Sequence, residues 1–149
     1  MQDYVIFADS GSDISKDILD SWGVKCVSLT FKFDDEDTEH LSVDADIKKF
    51  YSDMRSGKSG RTSGVNIETY KEAFEEVLKD GKVVLCLTVS SGISTTYNSA
   101  WVAKNELSEQ YPDRKAYVVD TLCASLGEGL LVHYACRKRD EGMSLEELT

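Results

Sequence analysis

Two histidines, one proline and no Cys-x-x-Cys pair occur in this 149-residue chain, and its positive charge is in deficit. Each shortage excludes a class of function. His40 and His133 stand far apart, and Cys26, Cys86, Cys123 and Cys136 are isolated from one another, so the closely spaced ligands of a structural metal are missing. The cysteines mostly lie in apolar runs and read as free, reduced core thiols. Lys and Arg number 17 against 27 Asp and Glu, a net charge of −10, which disfavours nonspecific contact with nucleic acid or an anionic membrane surface. An anionic ligand would therefore have to be held by local geometry. The start, Met1-Gln2-Asp3-Tyr4, has no basic segment followed by an apolar one, and no later run approaches membrane-spanning length. The expectation is a cytoplasmic protein with no nucleic-acid partner and no stable membrane insertion.

What is present is an alternation of strand and helix patterns. Tyr4 to Ala8 is a short apolar run, followed by Ile14, Ile18, Leu19 and Trp22 at helical spacing. Val24 to Phe33 alternates apolar and polar positions and predicts a second strand that ends in Asp34-Asp35-Glu36-Asp37. Asp44 is positioned to cap a helix with apolar Ile47, Phe50, Tyr51 and Met54. The glycine-rich segment Lys58 to Val65 predicts a loop, and Asn66 is positioned to cap a helix that turns Tyr70, Phe74, Val77 and Leu78 inward. Val83 to Leu87 is a third strand, Ser94 a cap for the helix of Tyr97, Ala100, Trp101 and Leu107, and Pro112 its stop. Ala116 to Val119 is a fourth strand, and a long helix runs from about Ser125 to Arg139. The order β-α-β-α-α-β-α-β-α argues for an α/β fold with a mostly parallel sheet of about four strands flanked by helices. Near the end, Ser144-Leu145-Glu146-Glu147 is a capping box that opens a helix at residues 144–149, which favours a first domain over 1–143 and a further domain beyond.

In such a sheet, ligands bind beyond the carboxyl ends of the strands, where helices begin with unpaired amides. Ser90 and Ser91 follow the third strand at that place, Asp9 and Ser10 follow the first, Asp120 and Thr121 follow the fourth, and Thr62 and Ser63 lie in the glycine-rich loop. Hydroxyls and amides hold an anion well but activate a nucleophile poorly. Thr88-Val89-Ser90-Ser91-Gly92 lacks the first glycine of a nucleophile elbow. Gly57-Lys58-Ser59 ends like a Walker loop, but Ser52 stands where the first glycine belongs, and Gly127-Glu128-Gly129 has Val132 where a dinucleotide fingerprint needs its third glycine. Close helix packing explains those last glycines better. Arg61 is either a bidentate carboxylate partner or a solvated loop cation. Three readings stay open on these grounds: an anion-binding module, a phosphotransfer or kinase-related enzyme domain, and a ligand-free regulatory or interaction domain whose hydroxyls are ordinary caps.

The segments Phe7-Ala8-Asp9-Ser10, Arg61-Thr62-Ser63, Leu87 to Ser94 followed by Thr96-Tyr97-Asn98-Ser99-Ala100, and Val118-Val119-Asp120-Thr121 resemble, in order and spacing, the DegV family of bacterial fatty-acid-binding proteins. The resemblance covers essentially the whole chain. It implies the first of two domains, with a long-chain fatty acid as ligand, no cofactor and no catalytic residue. The carboxylate would be held by hydroxyls, and the tail would be buried between this domain and a C-terminal one. It also implies a fatty acid kinase as partner, which converts the presented carboxylate to an acyl phosphate for lipid metabolism. By position, the carboxylate-binding threonine falls on Thr62 and the serine on Ser91, with Ser63, Ser90 and Arg61 beside them and Ser10, Asp120 and Thr121 at the pocket edge.

The chain departs from the family pattern at two places. Where the family reads Pro-x-Thr-Ser-Gln-Pro, this chain has Gly60 before Arg61-Thr62-Ser63 and Gly64-Val65 after it, which predicts a looser loop. Where the family reads Ser-Gly-Thr-Tyr, Thr95 replaces the glycine in Ser94-Thr95-Thr96-Tyr97, which predicts a narrower helix start.

Overall fold

A strand can be apolar at every position only where both faces of its sheet are covered. The computed structural model, which describes residues 4–148, has such a sheet at its centre. In chain order the elements are β1 (Tyr4–Asp9), α1 (Lys16–Ser21), β2 (Val24–Val27), β3 (Thr30–Phe33), β4 (His40–Leu41), α2 (Ile47–Arg55) and β5 (Gly60–Ser63). They continue with α3 (Ile67–Lys79), β6 (Val83–Thr88), α4 (Thr96–Gln110), β7 (Ala116–Asp120), α5 (Leu126–Asp140) and α6 (Leu145–Leu148). Met1–Asp3 and Thr149, which bear on a leader and on the end of the last helix, lie outside the described residues.

Strands β2, β1, β6 and β7 pair in that order, all parallel. The period-2 alternation of side chains divides the core between two faces. Phe7, Val84 and Cys86 point toward Tyr70, Phe74 and Val77 of α3 and Ala100, Ala103 and Leu107 of α4. Tyr4, Ile6, Leu85 and Leu87 point toward Leu19 of α1, Val132, Ala135 and Cys136 of α5, and Leu145 of α6. This is the expected helix-flanked parallel sheet. Among the described residues no helix is long and apolar enough to cross a membrane, and all four cysteines are free.

Close packing explains the glycines of α5. A Cβ on Gly129 would lie 3.0 Å from both Ile14 Cγ1 and the backbone oxygen of Ser12. Helix propensity alone would make Gly129→Ala stabilising by about 1 kcal/mol, but overpacking against backbone costs about 1–3 kcal/mol. The expected net result is a lowered urea midpoint at unchanged slope; a raised midpoint would show that the contact relaxes freely.

Four sequence expectations are corrected. The run Val24 to Phe33 is two strands in two sheets, because Ser28 and Leu29 leave the ladder. The Ser28 hydroxyl donates to Leu29 O at 2.7 Å, Leu29 N donates to Ser10 Oγ at 2.9 Å, and Ser42 N donates to Leu29 O at 2.9 Å. Lys58 to Val65 is not all loop: Gly60–Ser63 forms β5, an exposed strand antiparallel to β3 in a small sheet ordered β4-β3-β5. Pairing overrides a composition that favours loops, so the looseness predicted for this segment is countered where it pairs. Asp46, rather than Asp44, caps α2 by accepting from Lys49 N, while Asp44 ends a 3-10 turn over Ser42–Asp44. Ile47, Tyr51 and Met54 of α2 are exposed, and only Phe50 of that set turns toward the small sheet. Asn66 caps α3 as expected, accepting from Thr69 N at 2.9 Å. Of the capping box at Ser144, the Glu147 carboxylate reaches back to Ser144 N at 3.0 Å, but the Ser144 hydroxyl donates to that same carboxylate instead of accepting the Glu147 amide.

Candidate functional site

The parallel sheet ends in three loops on one edge, after β1, β6 and β7, and their backbone amides are tightly committed. After β6, Val89 N donates to Asp9 Oδ2 at 2.8 Å, Ser90 N to Cys123 O at 2.8 Å, and Ser91 N to Asp120 Oδ1 at 3.1 Å. Gly92 N bonds Ser90 Oγ at 3.1 Å, and Ile93 N and Ser94 N both donate to Ser90 O. Every amide from Val89 to Ser94 therefore has a partner inside the chain. The free amides expected at Ser90 and Ser91 are used to shape the turn, and a ligand there would meet hydroxyls. Ser94 Oγ accepts from Thr96 N at 3.2 Å and supports the start of α4.

Two carboxylates brace this turn from different sides. Asp9 is fully buried and accepts Gly11 N as well as Val89 N, both at 2.8 Å. Desolvation raises its pKa to about 6, against the pull of those two amides. Asp120 is accessible, and its Oδ1 accepts Leu122 N as well as Ser91 N, each at 3.1 Å. Partial burial pushes its carboxyl up, but the Ser91 hydroxyl and the two amides prevail and hold it below the usual aspartate value. Thr121 is buried, and its hydroxyl donates to Thr88 O at 2.7 Å, which ties the end of β7 to β6. Asp120 and Thr121 thus build the edge.

The third sequence segment arrives from the small sheet. A Cβ on Gly64 would lie 3.0, 3.1 and 3.2 Å from the hydroxyl oxygens of Thr96, Thr95 and Ser94, and Val65 N donates to Thr96 Oγ1 at 3.3 Å. The exit of β5 is therefore seated on the start of α4, just beyond the Ser90–Ser91 turn. Thr62 and Ser63 are exposed, and neither hydroxyl has a hydrogen-bond partner among the described residues. Thr62 pairs with Phe31, Arg61 with Lys32 and Ser63 with Thr30, so alternation puts Thr62 on the Phe31 face of the small sheet and Arg61 and Ser63 on the other. Arg61 Nε donates to Asp34 Oδ1 at 3.1 Å. Ser10 is also committed: its hydroxyl is 2.6 Å from Ser42 Oγ and accepts Leu29 N, pinning the small sheet to the end of β1. The exit of β5 and the start of α4 meet at this edge, whereas Arg61 and Ser10 serve other partners.

The sequence reading passed over Glu128. It is fully buried in the first turn of α5, where its carboxyl oxygens make no well-formed hydrogen bond and only the Asp9 amide lies toward them; the buried Ser12 hydroxyl is unpartnered. Desolvation, then the charge of the nearby Asp9, raise the Glu128 pKa to about 9 against the pull of the Asp9 backbone amide. The adjacent Gly129 is the available signal, because a helix position with no room for a Cβ marks the packed side of α5 and Glu128 lies only 100° from it. The histidines lie elsewhere: His40 bonds Glu36 at 2.8 Å, and His133 packs on Trp22 with ring centroids 5.0 Å apart.

A family model described as "Uncharacterised protein, DegV family" matches residues 3–149. A DegV domain-containing protein from Clostridium perfringens is 40% identical over 151 residues, covering 99% of this chain and 51% of the relative. A stearic acid-binding protein from Eubacterium ventriosum superposes with a TM-score of 0.90 at 31% identity, covering 97% of this chain and 50% of that one. The Streptococcus pneumoniae fatty acid kinase B3 protein loaded with linoleic acid superposes with a TM-score of 0.78 at 26% identity, covering 98% of this chain and 51% of that one. The chain spans about half the length of the curated relatives it matches. The chain belongs to the DegV family.

Proposed function

We propose that this chain is the N-terminal domain, residues 1–143 with a connecting helix from 144, of a two-domain carrier that binds a long-chain fatty acid. The carboxylate would be held by Thr62 and Ser91 with help from Ser63 and Ser90, and the tail would lie against the following domain. A separate fatty acid kinase would then phosphorylate the presented carboxylate in the cytoplasm. The observation that supports this reading is the exposed, unpartnered Thr62 hydroxyl, on a strand whose exit is seated on Ser94–Thr96 at the start of α4, the helix that follows the Ser90–Ser91 turn. The fatty acids held by the Eubacterium and Streptococcus proteins support the choice of ligand, and the kinase name of the latter supports the partner.

The head group sets position more than affinity. Each buried methylene of the tail contributes about 0.8 kcal/mol, while a hydrogen bond to a charged group contributes about 1.5–3 kcal/mol. Ser91 must release Asp120 to donate to a ligand; Thr62 needs no such exchange. The expected result is a fatty acid in extracts of the full-length protein, identified by mass spectrometry, with retention at least tenfold lower for Thr62→Ala and for Ser91→Ala. Extracts free of fatty acid after gentle purification would overturn the reading, and unchanged retention in both variants would overturn the assignment of the head-group residues.

A further inference from the structure

The small sheet and α2 enclose a second groove, on the face of the sheet that Thr62 shares with Phe31 but with none of Thr62, Ser63, Ser90 and Ser91 in its lining. Its floor is aromatic: Phe50 of α2 lies 5.0 Å from Phe31 and 5.4 Å from Phe33, and His40 stacks 5.3 Å from Phe31. Its rim carries five carboxylates and one ammonium, that of Lys49, which is already paired with Asp53. Glu39 is oriented at the rim by the Thr30 hydroxyl, which donates to it at 3.0 Å, and Asp44 has neither a hydrogen bond nor an ion pair among the described residues. An apolar ligand gains nothing from that rim, and an anionic one is repelled. A cation over a ring face with carboxylates around it satisfies both parts. The chain itself uses this chemistry nearby, where Lys58 Nζ sits 5.3 Å over the Phe33 ring while bonding Asp35 at 3.0 Å.

The adjoining face of α2 says more about the occupant. Successive residues of a helix turn by 100°, so Phe50, Met54, Ile47 and Tyr51 form a continuous apolar stripe about 100° wide. Phe50 enters the groove, whereas Ile47, Met54 and Tyr51 stand 58, 46 and 52% exposed. A free metabolite would fill the groove but leave that stripe in water. A protein segment with a cationic side chain between apolar ones covers both.

We propose that the groove between α2 and the small sheet is a docking site for a basic protein partner. Such a partner would insert an arginine or lysine over Phe31 and Phe50, beside the Phe33 ring that Lys58 already covers, and lay its flanking apolar side chains on Ile47, Tyr51 and Met54. The surplus of carboxylates at the rim is complementary to such a segment, and the overall charge of −10 would speed its approach.

The test titrates the full-length protein, by two-dimensional NMR, with the peptide acetyl-Leu-Arg-Leu-amide and with its neutral isostere acetyl-Leu-citrulline-Leu-amide. The arginine peptide is expected to give saturable shifts confined to β3, β4 and α2, with at least fivefold weaker binding by citrulline. A Glu39→Gln/Asp44→Asn double variant is expected to weaken the arginine peptide at least fivefold, and Tyr51→Ser to weaken both peptides. Equal binding of the two peptides would overturn the cation site. Shifts spread over the whole acidic surface, or an unchanged affinity in the double variant, would overturn the location. Both exchanges in the double variant are at the protein surface, so a preserved spectrum elsewhere separates a lost contact from a lost fold.

Discussion

Glu128→Gln is expected to raise the unfolding free energy by roughly 3 kcal/mol at pH 7 and to remove most of the loss of stability between pH 5 and 9. The reason is the cost of keeping a proton on a carboxyl that water would ionise. Glu128 has no exposed surface and no well-formed hydrogen bond to either oxygen, and its pKa stands at about 9, despite the pull of the Asp9 amide, against 4.5 in an unfolded chain. The folded state therefore holds a proton that the unfolded state releases once the pH passes about 4.5. Stability is greatest below that value, falls as the pH rises, and stops falling near pH 9, where the folded carboxyl also ionises. At pH 7 about two and a half pH units have been crossed, at about 1.4 kcal/mol each. Glutamine keeps the shape and removes the titration. Asp9 contributes a fall of the same sign between about 4 and 6, but Asp9→Asn is the poorer test, because one amide oxygen cannot receive both Gly11 N and Val89 N as two carboxylate oxygens do. Urea titrations of wild type and Glu128→Gln at pH 5, 7 and 9 decide the matter; parallel curves across pH would refute the assignment.

A residue that lowers stability at neutral pH marks the place where the sequence was least readable. Val83 to Leu87 declared a doubly covered strand because every position is apolar, and Asn66 declared a helix start because its side chain acts locally. Both signals lie within a few residues of their effect. Alternation over Val24 to Phe33 predicts one strand because the period is the same in β2 and β3, and nothing in that period reveals that Ser28, Ser10 and Ser42 exchange hydrogen bonds at the corner. Gly60–Ser63 has the composition of a loop, and its register against β3 is a long-range fact. At the candidate site, the positions of Thr62, Ser63, Ser90 and Ser91 in the chain were legible. The engagement of Arg61 with Asp34, of Ser10 with Ser42, and of the turn amides with Asp9 and Asp120 was not, since each partner comes from another element.

Gly64 and Thr95 join those two halves of the site, and exchanging their sizes is expected to show it. The family pattern places a glutamine where this chain has Gly64 and a glycine where it has Thr95, and in the fold the two positions face each other. A Cβ on residue 64 would meet Thr95 Oγ1 at 3.1 Å, with Thr96 Oγ1 at 3.0 Å and Ser94 Oγ at 3.2 Å. The helix start expected to be narrowed by Thr95 is thus relieved by the absence of a side chain at Gly64. Thr96 cannot swing aside easily, because its hydroxyl lies 2.7 Å from Ser94 Oγ and receives Val65 N. Gly64→Gln alone is therefore expected to cost about 2–3 kcal/mol by overpacking. Thr95→Gly alone should cost less than about 1 kcal/mol, through added freedom in the unfolded chain. The double exchange should recover at least about 1 kcal/mol relative to the sum of the single effects, the size of coupling seen between residues in contact. Chemical denaturation of the four proteins measures this cycle. Additive effects would mean that the two positions do not share space and that the seat of β5 on α4 is looser than described. Recovery would mean that the two departures from the family pattern are one compensated change, which keeps the exit of β5 seated on the start of α4.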